Sequence, residues 1–113
     1  MACLFCQIIN REISAEIVFE DDEVLAFEDI APQAPTHLLV IPKRHVATLN
    51  DLEERDLALV GRLPIVAARL ARERGFAEEG YRVVMNCNDD GGQTVYHIHM
   101  HLMGGRRFTW PAG

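Results

Sequence analysis

The sequence predicts an α+β domain: one long helix and one short helix packed on a mostly antiparallel sheet of about five strands. Three observations carry that expectation. Short β-forming runs recur at 16–20, 23–29, 37–41, 81–87 and 94–103. A single stretch, Asn50 to Gly75, has apolar residues at helical spacing. Pro, Gly and Asp punctuate the intervals, and no repeat or linker interrupts the 113 residues, a length that suits one domain spanning 1–113.

Each element has its own local reason. Leu4 to Asn10 is short and apolar and reads as a helical turn laid on the core. Glu16 to Glu20 reads as a strand, with Asp21-Asp22 as its turn. Apolar residues fall on both parities from Glu23 to Asp29, so this strand is expected to be buried on more than one side. Pro32 and Pro35 bracket an irregular connection, because proline lacks a ladder donor. His37 to Ile41 forms the next strand and Pro42 ends it.

In the long helix, Asn50 is the expected cap, Glu53 completes a capping box and Gly75 is the stop. Leu52, Leu59, Leu63, Val66 and Leu70 form its apolar stripe. Pro64 removes the hydrogen bond to the Val60 carbonyl, and a kink is expected there. Tyr81 to Cys87 is a strand, Asp89 to Gly92 a turn, Thr94 to Met103 a second strand, and the tail beyond Gly104 is extended.

Composition excludes several classes. The apolar fraction of 49% and charged fraction of 25% are those of a globular chain. A net charge of -6 argues against nucleic-acid backbones, although Lys43-Arg44-His45 and Arg106-Arg107 are small basic clusters. No apolar run reaches membrane-span length, so no membrane partner is expected. The opening residues do not read as an export signal, and a cytoplasmic address is the expectation. Three cysteines then read as thiols or metal ligands rather than a disulfide framework.

His97-Ile98-His99-Met100-His101-Leu102 is the most informative segment. A strand repeats its side chains with period two, so the three imidazoles share one face, roughly 7 Å apart, with apolar residues on the other. Imidazole can act as base, acid, nucleophile or ligand near neutral pH. Phosphoryl and nucleotidyl transfer suit this row: a neutral ring nitrogen attacks phosphorus, provided that the other nitrogen is held as a donor. Donors aimed at the phosphoryl oxygens can come from His101 or from backbone amides near Gly92, Gln93 and Thr94. Gly91-Gly92 also fits a plain tight turn. Cys3 and Cys6 form a Cys-x-x-Cys pair, readable as two metal thiolates, a redox motif or packed thiols.

The run from Gln93 to Leu102 resembles the signature of the histidine triad superfamily of nucleotide hydrolases and transferases. The resemblance covers nearly the whole chain, including Leu4 to Ile9, Phe27 to His37, Gly104-Gly105-Arg106 and Trp110-Pro111. The closing segment is similar to the branch of histidine triad nucleotide-binding proteins, which are purine nucleoside phosphoramidases. The resemblance implies that fold, with a nucleotidyl-histidine intermediate formed on His99, His101 at the phosphate, and His37 completing the site. It assigns Gln93 and Thr94 to the phosphate and leaving group, Thr94 standing where the family usually has serine. Asp29 is implied at the ribose hydroxyls, Asn86 at a second substrate contact, and Leu4, Phe5, Ile8, Phe27 and Ile30 in the purine slot. Those apolar residues also read as ordinary core.

The resemblance further implies a structural zinc on Cys3, Cys6, His45 and His97, with no cofactor needed for catalysis. It implies a two-fold homodimer in which Trp110 reaches the partner's site; Pro64 departs from the family pattern in the dimer helix. The expected activity is hydrolysis of purine nucleoside 5'-monophosphates linked through nitrogen, such as AMP-amines or AMP-lysine. Two competing expectations are hydrolysis of dinucleoside polyphosphates and a nucleotide-binding regulatory role with vestigial hydrolysis.

Overall fold

A computed structural model describes residues 3–113. Its elements run α1 (Leu4–Ile9), β1 (Ile17–Glu20), β2 (Val24–Glu28), β3 (Thr36–Pro42), α2 (Leu57–Arg74), β4 (Tyr81–Val84), α3 (Asn88–Gly91) and β5 (Met100–Gly104). Two 3-10 turns, Leu49–Asp51 and Glu54–Asp56, precede α2. All five strands join one antiparallel sheet in the order β1-β2-β3-β5-β4. The expected α+β architecture is what forms. No helix among the described residues is long and apolar enough to cross a membrane.

The pleat divides the sheet into two faces with separate cores. Val24, Ala26, Leu38, Val40, Met100 and Leu102 pack against Leu63, Val66, Ala67 and Leu70 of α2. Leu25, Phe27, Leu39 and Ile41 point the other way and meet Phe5 and Ile8 of α1. β2 is therefore buried on both faces, as its unbroken apolar run requires. Full burial of side chains such as Phe5 and Ile8 contributes about 1.5–3 kcal/mol each, enough to hold a helix too short to be stable alone.

Several boundaries differ from the sequence expectation. The long helix begins at Leu57, not Asn50. Thr48 caps the first 3-10 turn, with Asp51 reaching back to the Thr48 N–H, and Asp56 reaches back to the Glu53 N–H in the second. These local carboxylate bonds close each turn early, and extended Leu52 separates the two. Gly75, in the left-handed region at φ 84°, stops α2 where expected. Pro64 lies on the exposed side of α2, and the helix continues past it to Arg74.

The histidine strand is also shorter than Thr94 to Met103. β5 starts at Met100, because the register that pairs Val40 with Met100 would set Pro42 opposite Ile98. Pro42 has no N–H to offer, and the Ile98 N–H turns instead to the Val46 carbonyl at 2.8 Å. β4 likewise stops at Val84 rather than Cys87, and the expected turn at Asp89 to Gly92 is the single-turn helix α3.

Gly104 sits where β5 passes under Phe76, and a Cβ built there would lie 2.4 Å from the ring. Gly104→Ala is expected to lower the unfolding free energy by about 1–3 kcal/mol, read from urea unfolding, because the buried ring must shift. An unchanged midpoint would contradict this packing.

Candidate active site

On the α1 face of the sheet, a cleft of about 380 Å³ opens between α1, the ends of β2 and β3, and the segment leading into β5. Leu4, Phe5, Ile8, Phe27, Asp29, Ile30, Thr94, His99 and His101 line it, together with Leu39 and Val95. Its inner wall is aromatic: the Phe5 ring meets Phe27 edge-on at 5.4 Å and His99 at 5.1 Å between centroids. Ile30 lies on the rim and is fully exposed. Sequence reasoning missed Leu39, although its period-two relation to His37 on β3 was a usable signal.

His99 is nearly buried, and its Nδ1 lies 2.8 Å from the carbonyl oxygen of His97. A carbonyl only accepts, so Nδ1 carries the proton and Nε2 keeps its lone pair. That is the tautomer an imidazole nucleophile requires.

His101 sits beside it, with ring centroids 5.0 Å apart. Its Nδ1 lies 2.9 Å from His37 Nε2, which reaches it from β3. The Asp29 carboxylate is 3.4 Å from His37 Nε2 and holds its other oxygen on the Ala31 N–H at 2.8 Å. Burial pushes the His101 pKa down to about 4; the neighbouring His99 and His37 add to this, and Asp29 opposes it. Burial also lowers His37, again against the pull of Asp29. Both rings are therefore neutral near pH 7.

Three residues suggested by the sequence lie elsewhere. Gln93 is buried with every polar atom engaged: its amide nitrogen donates to the Ala47 and Val95 carbonyls, and its oxygen accepts the Asn88 N–H. Its side chain braces the loop before Thr94 rather than lining the cleft. Asn86 packs beneath Gly91, outside the cleft lining. Trp110 is 84% exposed on the tail.

The first histidine of the row faces a different group. His97 is fully buried, and its Nε2–H donates to the Pro42 carbonyl at 2.7 Å, which leaves the Nδ1 lone pair free. That Nδ1 lies 3.5 Å from Cys3 Sγ, 3.6 Å from Cys6 Sγ and 3.3 Å from His45 Nδ1. Cys6 Sγ is also 3.5 Å from His45 Nδ1, so four ligand atoms converge on one point that could hold a metal ion. The pair arises locally: Cys3 caps α1 and Cys6 lies in its first turn.

A family model described as the HIT domain matches residues 10–108. The chain is 54% identical over 103 residues to a protein of Escherichia coli (strain K12) named purine nucleoside phosphoramidase, covering 91% of this chain and 87% of that one. Among solved structures, a HIT family hydrolase from Legionella pneumophila superposes with a TM-score of 0.97 at 57% identity, covering 99% of this chain and 100% of the other. A histidine triad protein from Clostridium difficile gives 0.92 at 44% identity, covering 96% and 95%.

The depressed His101 pKa fixes the sign of a pH effect. Between about 4 and the ordinary value of 6.5 the unfolded chain binds more protons at this site than the folded one. Stability is fully present above 6.5 and falls as the pH drops through this window, with His37 acting in the same direction. Urea unfolding at stepped pH is expected to show the loss, and His101→Asn to flatten it. An identical slope in the variant would contradict a buried neutral pair.

Proposed function

The chain belongs to the HIT domain family, and from that premise we propose that it is a purine nucleoside phosphoramidase, a hydrolase of nucleoside 5'-monophosphates linked through nitrogen. The observation that carries the reading is the free Nε2 of His99 on the floor of a nucleotide-sized cleft. Nε2 attacks the α-phosphorus, the P–N bond breaks, and its electron pair leaves with the amine, which takes up a proton. Water then attacks the nucleotidyl-histidine, releases the monophosphate and returns Nε2 to its starting state. Splitting one displacement into two keeps each step within reach of a neutral imidazole.

The other groups take their roles from their chemistry. His101 holds the phosphate, backed by His37, and the Thr94 hydroxyl serves the leaving-group side. The Asp29 carboxylate is acceptor-only, which suits adjacent ribose hydroxyls. Leu4, Phe5, Ile8, Phe27 and Ile30 form an apolar slot that takes either purine, since none of them reads base edges. Gln93 supports this site through the Thr94 loop. Asn86, at the foot of that loop, is retained as a substrate-side residue only through its position in the family pattern.

We assign zinc to the Cys3, Cys6, His45 and His97 cluster. Bonds of about 2.3 Å to sulfur and 2.0–2.1 Å to nitrogen imply tetrahedral edges of about 3.3 Å between nitrogens and about 3.6 Å between nitrogen and sulfur. The separations of 3.3, 3.5 and 3.6 Å match these edges. With four protein ligands and no open position, the ion would be structural, tying α1 and its share of the cleft to His97. Free thiols suit a reducing, cytoplasmic setting.

We read the chain as one folded unit that pairs as a two-fold homodimer. Among the described residues the outer edge of β4 has no strand partner, and Val83, Tyr81 and the α2 residues Leu57 and Ile65 are exposed apolar groups. Exposed Trp110 would then serve the partner's cleft.

Wild-type protein is expected to turn over adenosine 5'-phosphoramidate far faster than diadenosine tetraphosphate. His99→Ala is expected to lose at least about a thousandfold in kcat while keeping its fold. The opposite substrate order, or an active His99→Ala, would overturn the reading. Elemental analysis is expected to find one zinc per chain, lost in Cys3→Ser together with a lowered Tm; a metal-free native protein of equal stability would contradict the zinc assignment.

A further inference from the structure

One peptide group in the connection from Ala31 to Pro35, that between Pro32 and Gln33, touches His37. The Gln33 N–H donates to His37 Nδ1 at 2.9 Å. A backbone amide only donates, so Nδ1 is the lone-pair nitrogen and neutral His37 carries its proton on Nε2. That Nε2–H faces His101 Nδ1 at 2.9 Å, with Asp29 at 3.4 Å favouring the same tautomer. With Nδ1 accepting, neutral His101 must carry its own proton on Nε2. The orientation of one peptide thus decides which nitrogen of His101 can donate.

The next peptide, Gln33–Ala34, is held by the tail. The Gln33 carbonyl accepts from Arg106 Nε at 2.9 Å. The Arg106 guanidinium lies 4.1 Å from the centroid of the Phe108 ring, which also carries Arg82 at 5.1 Å. Gly105, at φ 91°, allows the approach: a Cβ there would lie 2.9 Å from Pro35 Cβ. A planar donor fixed on an aromatic face is a rigid clamp, which a lysine ammonium would not reproduce.

We propose that Arg106 is a positioning residue: by holding the Gln33 carbonyl it fixes the backbone of Gln33, whose N–H in the preceding peptide sets the tautomers of His37 and His101, so that His101 presents Nε2–H to the phosphate. The consequence for turnover rests on the phosphoramidase reading, whereas the tautomers themselves do not.

Side-chain 15N NMR of the full chain without substrate tests the two separately. Wild type and Gln33→Ala, which keeps the amide, are expected to show His37 and His101 protonated on Nε2 only. Gln33→Pro, which deletes the amide hydrogen, is expected to show His37 exchanging between tautomers, and Arg106→Met to show the same to a lesser extent. On adenosine 5'-phosphoramidate, kcat in Gln33→Pro and Arg106→Met should fall about tenfold or more with KM little changed, by analogy with lost outer-shell partners elsewhere. Should Gln33→Pro not fold, Arg106→Met carries the test. A proton on His37 Nδ1 in wild type, or unaltered tautomers in folded Arg106→Met, would overturn the proposal. So would an equal loss of kcat in Gln33→Ala. Failure of wild type to cleave the phosphoramidate would instead refute the functional reading, leaving the NMR result to decide the tautomers.

Discussion

The hydrogen bond from His99 Nδ1–H to the His97 carbonyl joins the two halves of the site. It assigns the proton on His99 and so frees Nε2. It can do so reliably because His97 has no freedom of its own: its ring is fully buried, with Nε2 tied to Pro42 and Nδ1 facing two sulfurs and His45. A metal ion in that cluster would lock the same residue further and pin α1 beside it. Phe5 of α1 touches both His97 and His99, so His99, the cluster and the cleft wall share one packing unit.

The sheet makes this arrangement possible by separating burdens. One face packs on α2 and supplies the larger core, while the other leaves room for α1 and the cleft. Histidines on β3 and β5 enter the second face without disturbing the first, because neighbouring residues alternate sides. Proline 42 also has a positive role. By ending the ladder it releases the chain at Ile98, and its carbonyl takes the His97 ring.

Much of the fold was legible because its signals are local. Short β-forming runs marked all five strands, and the stripe of Leu63, Val66 and Leu70 marked the helix face. What was misjudged was where two of the elements begin. The start of β5 was set by a proline on another strand, and the start of α2 by short carboxylate caps that compete with helix. In the site, period two put three histidines on one face but could not tell them apart. Their neighbours did: a cysteine cluster for His97, a backbone carbonyl for His99, and a second histidine for His101. Gln93 shows the converse, a polar residue in a catalytic pattern whose side chain is consumed by loop bracing. The Gln33 amide left no sequence signal, since any residue but proline supplies one.

The central claim is that His99 reacts through Nε2 because its other nitrogen is held by the His97 carbonyl. Rapid quenching during turnover of adenosine 5'-phosphoramidate, with the adduct located by mass spectrometry and its ring nitrogen assigned by 31P and 15N NMR, addresses that claim directly. The expected adduct is an adenylyl group on His99, bonded to Nε2. An adduct on Nδ1, or on any other residue, would contradict it.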